Sequence, residues 1–550
     1  MNRKKLFAVT LALTVAVLIS FSQLAPSAAT HAGKMPPGAL LYLEAANFVG
    51  LLSEWAGSTA KAEWQNSANY EAFLRTGLLG RLDGASAEFT KASGVAHDWN
   101  FISSVAGGQS AMAIYDIGNL KFVYITRLSA AKLAQTKIWQ ARTGYATRSA
   151  SGKNYFIKND TASHRTACMA NDGDLLILTT DESLMAATLS LLSTPTGSLA
   201  SQPWFNAVWN PAEANSDLRM VYNINELVKT PYFRSYWIQH NVSQLKPFSA
   251  GSASLLRQAS AWTESRMMLR TEPETASPGS LNSLVSAIPQ NAGFIKAWST
   301  PQPDQLATLI GHRILGGRQQ TAIPYNTAPA ETSVQESGDS ADLEARIDDA
   351  PLKETSTGFN RDPWLSFFTT NIPKAALSLG GTRPGPDGVF TSTQAAIVIE
   401  FNTPINADDW SATMLDSMEG VHSVSRLGLK WLQRPGYKAL DGLLPLYGTA
   451  VGNRLIFSNS ELLITEMLAT NTSLPLDATT TYFAQFRHGK ERPAFGQLMK
   501  MIDVTPSPGA LFSENLTSLS SVLKRFDSAT VVRRDFGDRL QETVTYGITP

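Results

Sequence analysis

Hydrophobic and polar positions alternate in short runs along much of this chain. "LLYLEA" (40–45), "SAMAIYD" (110–116) and "KFVYITRL" (121–128) place apolar side chains at every second position, the period of a pleated strand. The pattern predicts a strand around Leu40 to Glu44 and a hairpin over 110–128, with strands Met112–Ile117 and Leu120–Leu128. Gly118-Asn119 between them suits a two-residue turn, since a glycine in the first turn position fits type II′. Spacings of three and four predict helices over 61–93, 129–142 and 181–193, and an aromatic helix over 230–240. Several strands fall between 144 and 179, with others near 217–223 and 261–271. Strands and helices mixed without a βαβ rhythm predict an α+β fold, a mainly antiparallel sheet packed against helices.

The same order recurs. "GDLLILTTDESLMAATL" (173–189) aligns without gaps on "GNRLIFSNSELLITEML" (452–468), with Gly173/Gly452, Leu176/Leu455, Ile177/Ile456, Glu182/Glu461, Leu184/Leu463 and Leu189/Leu468 identical. "PPGALLYLEA" answers to "IPQNAGFIKAW", "SAMAIYD" to "KAALSLG", and "ASAWTESRMMLRT" to "DSATVVRRDFGDRLQETVTY" in that order. The expectation is two tandem divergent copies, 36–275 and 285–550. Residues 319–361 break the second copy with an acidic, polar segment, "PAETSVQESGDSADLEARIDDAPLKETSTG", read as a disordered insertion because it can bury so little.

Composition narrows the function. The 550 residues balance 46 Lys and Arg against 46 Asp and Glu, without the basic excess that phosphate contacts demand, so no nucleic-acid partner is expected. Arg3, Lys4 and Lys5 precede an apolar run, Leu6 to Phe21, followed by small residues. This reads as a signal peptide over 1–32, cut after Ala29 or after Ala32. The run is short for a bilayer span, so contact with the membrane is expected only transiently, or as an uncleaved N-terminal anchor. The protein is therefore expected to be exported, in the periplasm or outside the cell. Cys168 is the only cysteine, which rules out an internal disulfide and reads as a buried small hydrophobe.

Candidate chemistry is thin. Gly108-Gln109-Ser110-Ala111-Met112 lacks the second glycine of a nucleophile elbow, and a strand follows Ser110 where a helix is required. His97 and Asp98 stand nearby in sequence, which does not make a triad. "GGTRPGPDG" (380–388) has glycines but no lysine for a phosphate. The seven histidines (31, 97, 164, 240, 312, 422, 488) show no metal-ligand spacing. No catalytic, cofactor-binding or metal residue is assigned, and no cofactor is expected. Phe205 and Trp209, and Tyr232, Phe233, Tyr236 and Trp237, read as core faces rather than sugar platforms.

"PPGALLYLEAANFVGLLSEW", "NYEAF" and "VAGGQSAMAIYDIGNLKFVYITRL" together resemble an uncharacterised family of exported bacterial proteins that carry a domain of unknown function. The resemblance implies export and a duplicated α+β domain, and it transfers no site residue. The leading expectation is a non-enzymatic envelope protein that binds an envelope protein or an apolar ligand. A secreted hydrolase using Ser110 or an Asp/Glu pair, and a periplasmic carrier of an apolar ligand, are the alternatives.

Overall fold

The computed structural model describes residues 30–58, 77–209, 215–230, 245–275, 281–315, 359–384, 391–418, 430–441, 445–470, 476–493 and 526–548, with scattered positions in 61–74 and Glu213. Residues 231–240 of the expected aromatic helix and nearly all of the insertion 319–361 lie outside these residues, as do 385–388 of the glycine-rich stretch. The chain forms two compact units. One runs to Glu274 and takes in Thr505–Asp527 and Phe536–Pro550; the other comprises Thr275–Val504 and Ser528–Asp535. Both mix helices with antiparallel strands, so the protein is α+β.

In the first unit, β1 (Leu41–Ala45) lies between β2 (Ser110–Asp116) and β8 (Leu218–Tyr222). β2 continues to β3 (Lys121–Arg127), which pairs with β7 (Leu175–Thr179), the last strand of a meander with β4 (Ala146–Ala150), β5 (Lys153–Asp160) and β6 (Arg165–Asp172). On the other side β8 pairs with β9 (Phe248–Arg257), β9 with β10 (Ala261–Arg270), and β10 with β20 (Arg539–Ile548). The chain's C-terminal strand thus belongs to the first unit.

Helices start where short polar side chains can cap them. The Asn47 carboxamide oxygen accepts from Gly50 N–H at 3.1 Å at the head of α1 (Phe48–Gly57). α2 (Gly77–Ser93) is followed by α3 (Trp99–Val105), capped by Asp98, and by α4 (Ala130–Gln135), capped by Ser129. Asp181 accepts from Ser183 and Leu184 N–H at the start of α5 (Glu182–Ser193). α6 (Pro203–Val208) and α7 (Ile224–Leu227) flank β8. The helix expected over 129–142 is broken at Thr136, whose hydroxyl accepts from Trp139 N–H and begins a separate turn, Lys137–Gln140.

The hairpin differs from expectation at its tip. Asp116 ends β2 and its carboxylate accepts from Asn119 N–H at 3.0 Å, so residues 117–120 form a longer loop with Leu120 at φ 51°. The aspartate supplies a local acceptor that replaces the short turn, and a register shift between Ile114 and Asp116 accompanies it.

One face of this sheet carries Tyr42, Ala111, Ala113, Val123, Ile125, Ile177 and Val221 into a core closed by Met185 and Leu189 of α5 and Phe205 of α6. Tyr42 and Trp209 both pack against Phe205, at 5.6 Å and 5.1 Å between ring centroids.

The second unit runs β11 (Phe294–Ser299), α8 (Pro303–Leu309), α9 (Asp362–Thr370), the long hairpin β12 (Pro373–Pro384) and β13 (Thr391–Phe401), and α10 (Ala407–Met418). A meander β14 (Lys430–Arg434), β15 (Tyr437–Asp441), β16 (Tyr447–Val451) and β17 (Arg454–Ser458) leads into α11 (Glu461–Ala469), β18 (Thr480–Phe486) and β19 (Phe526–Asp535). β11 pairs with β12 and β18, β13 with β17, and β18 with β19. Its sheet is buried on both sides. Ile397, Ile399 and Phe457 face Trp364, Phe368 and Trp410 of α9 and α10, while Leu377, Val398 and Ile456 face Leu463, Ile464 and Met467 of α11. Gly448 has no room for a side chain, because an added Cβ would sit 2.7 Å from the Trp410 ring.

Candidate ligand cavity

Because side chains alternate across a strand, the partners of Tyr42 and Ala113 in the first unit put their neighbours on the opposite face. The register groups that second face into rows. Met112, Leu43, Met220 and Ala253 lie side by side across β2, β1, β8 and β9, ending at Arg266 on β10. The next row runs from Ile114 through Leu41 and Tyr222 to Gly251 and Met268. Neither of these two rows carries a charged group until β10 is reached. Gly251 makes room for the Tyr222 ring, which would lie 2.6 Å from a Cβ there.

This face does not pack into the core. It floors a cavity of about 620 Å³, walled by Phe48 of α1, Ile224 and Leu227 of α7, and Leu245. That volume lies inside the range of about 300–1,000 Å³ usual for small-molecule sites. Three methionines, Met112, Met220 and Met268, line it, and unbranched thioether chains adapt to irregular apolar shapes. At the β10 side Arg266 bonds Glu264 at 2.6 Å and stands 3.5 Å from Glu542, while Ser110 lines the β2 side.

The loop before β2 proves to be a brace beside this cavity. The carbonyls of Gly107 and Gly108 accept from Val49 and Phe48 N–H at 2.9 and 3.0 Å, which secures the head of α1. A Cβ on Gly107 would stand 2.0 Å from the Arg127 carbonyl oxygen, so glycine is required. Ser110 is 3% exposed, and its hydroxyl lies 2.6 Å from that of Thr126. His97 lies elsewhere. Its Nδ1 is 3.3 Å from the Thr90 hydroxyl, and its ring packs on Phe101 and Phe89. Asp98 is the cap of α3. The structure therefore does not join Ser110, His97 and Asp98 into a triad. Cys168 is buried in β6, and burial pushes its thiol up to about 12, which keeps it protonated and unreactive.

Beneath the sheet lies a polar knot that sequence reading missed. Glu44, 8% exposed, accepts from Gln109 Nε2 at 2.7 Å, Tyr42 OH at 2.9 Å, Thr30 Oγ1 at 2.7 Å and His31 N–H at 3.3 Å. Sequence separations of up to 65 residues hid it. The His31 and His97 rings are both held to about 4, chiefly by burial; Lys34 adds to the effect at His31, where Asp174 opposes it, as Asp98 does at His97. Both histidines are therefore neutral in the folded chain at neutral pH, while the unfolded chain takes up protons as pH falls below about 6.5. Stability should be full above that pH and fall toward pH 4, by roughly 3 kcal/mol for each ring. Urea midpoints measured at pH 7.5 and 4.5 check this, and His97→Phe should make the fall shallower.

Among the described residues no group of three or more His, Cys, Asp or Glu is placed to hold a metal ion, and no helix is long and apolar enough to cross a membrane. His240 and His422 lie outside the described residues.

No family profile and no curated protein matches this sequence. Among solved structures, crystal form I of TP0453 is 14% identical with a TM-score of 0.24, over 48% of this chain and 85% of that chain. Crystal form III matches at 14% identity and a TM-score of 0.24, over 50% and 89%. Likeness at this level leaves the reading of the site to the residues themselves.

Proposed function

We propose that this chain is an exported, non-enzymatic envelope protein whose first unit binds an apolar ligand with a polar end. The observation that carries this is the cavity. A sheet face left uncovered by core would normally expose its apolar rows to water at a cost of about 25 cal/mol per Å². Here the two rows across β1, β2 and β8 are apolar, and Phe48, Ile224, Leu227 and Leu245 wall them into a space of ligand size. The Arg266–Glu264 pair beside it offers a polar handle for a headgroup, as such sites use a few placed polar groups to orient an apolar body. The signal-like segment 1–32 and the resemblance to exported proteins support a periplasmic or extracellular location. A hydrolase centred on Ser110 has less support, because its hydroxyl is buried and bonded away from His97.

The order of elements supports two divergent copies, 36–275 and 285–550, the last strand of the second pairing into the sheet of the first unit. Each half has a strand, helices, a hairpin, a helix, a four-stranded meander, a helix and a returning strand. Gly173 and Gly452 occupy the same meander turn, both at φ 62°. Tyr155 donates to Glu182 and Tyr437 to Glu461, so one contact recurs at aligned carboxylates.

Native mass spectrometry of the protein purified from bacterial envelopes tests the proposal. We expect adducts in the mass range of single lipids, lost after delipidation and restored by a long-chain fatty acid. A protein that carries no lipid and takes up none from fatty-acid or phospholipid mixtures would overturn it.

A further inference from the structure

We propose that the leader is removed between Ala29 and Thr30, so that the mature protein begins at Thr30 and its new α-ammonium joins the buried Glu44 knot. Two bonds in the sequence fit a leader peptidase equally, after Ser27-Ala28-Ala29 and after Thr30-His31-Ala32. The fold separates them. Thr30 caps the short turn His31–Lys34, its hydroxyl accepting from Ala32 N–H at 3.2 Å while donating to Glu44 at 2.7 Å. His31, Ala32 and Met35 are all 0% exposed, and Leu199 N–H donates to the Met35 carbonyl at 2.8 Å.

A cut after Ala32 would take away Thr30 and His31, two of the four donors to the Glu44 carboxylate, and leave space where two buried residues had been. A buried carboxylate short of donors costs far more than one fully satisfied. A cut after Ala29 keeps every donor. It also places a positive charge on the residue whose hydroxyl already bonds Glu44, and all four present donors are neutral. An opposite charge within about 4–6 Å favours the charged form of a carboxylate.

The inference rests on the export reading but not on the cavity: a chain that begins at Thr30 and binds no lipid would overturn only the proposed function. The full chain should be expressed from Met1 in a Gram-negative host, recovered from the periplasm, and read by N-terminal sequencing and intact mass. A Thr30 terminus is expected. A Gly33 terminus, or retention of Met1, would overturn the proposal. Chains released from a foreign leader with starts at Thr30 and Gly33 give a second reading. The Gly33 chain should melt at least about 5 °C lower, and equal melting temperatures would count against the role given to Thr30.

Discussion

Met220→Glu should weaken binding of a fluorescent long-chain fatty acid by at least about 100-fold while the protein stays folded. Met220 sits in the middle of the row between Leu43 and Ala253, on the floor of the cavity. A glutamate there must either stay charged against the ligand's hydrocarbon or take up a proton, and each costs several kcal/mol in an apolar site. Every 1.4 kcal/mol is tenfold in affinity, so two decades is a modest expectation. The opposite sheet face, with Val221 and Tyr42 in the core, is untouched by the change, so circular dichroism should be that of the parent. Met220→Leu conserves volume and polarity and should bind within a few-fold of the parent. Titration of the probe into the two variants decides the matter: equal affinity for Met220→Glu and Met220→Leu would place the ligand elsewhere.

Asp217→Ala should destabilise the first unit by about 2–3 kcal/mol, the range for charged hydrogen bonds lost at a buried position. Arg257, 3% exposed at the end of β9, bonds Glu54 of α1 at 2.9 Å and Asp217 at 3.2 Å. Asp217 also accepts from the Arg257 backbone N–H at 2.8 Å. Its loss therefore strips both a counter-ion and a backbone acceptor from a buried position. Glu54→Gln keeps a hydrogen-bonding group near the guanidinium and should cost less, about 1–2 kcal/mol. Replacing Glu54, Asp217 and Arg257 together with apolar residues of similar size should recover much of the loss, because desolvating the charges opposes their attraction. Urea denaturation of the three proteins gives the ordering, and a near-parental Asp217→Ala would contradict it.

The strands of the first unit were legible because their side chains alternate and their turns carry Asp, Gly and Asn. β2 and β3 fall within a few residues of the predicted hairpin. The burial of Cys168 was legible too, from its place in an apolar run. What alternation cannot report is which face has a layer over it. β1, "LYLEA", puts Leu41, Leu43 and Ala45 on one set of positions and Tyr42 on the other, and these apolar side chains on both sets were the available signal that neither face is simply open to water. Whether helices or a ligand-sized space cover the second face depends on α1 and α7, whose packing is set by contacts distant in sequence. The Glu44 knot escaped for the same reason: Thr30, Gln109 and Glu44 carry no common motif and meet only when β1 and β2 pair. The sequence already argued against a nucleophile elbow at Ser110; it did not reveal that the Gly107 and Gly108 carbonyls hold the entry of α1, while Gly107 alone must lack a side chain, to clear the Arg127 carbonyl.

The pairing of β10 with β20 also sets a timetable. The sheet of the first unit lacks its last strand until the chain has been made as far as Ile548. At about 5–20 residues per second, the β10 edge waits on the order of 15–50 s for its partner after it is synthesised. Through that interval a ten-residue strand offers unpaired backbone groups to any neighbour, the hazard that edge strands carry. Over that time the emerging chain would gain from a factor that covers the β10 edge.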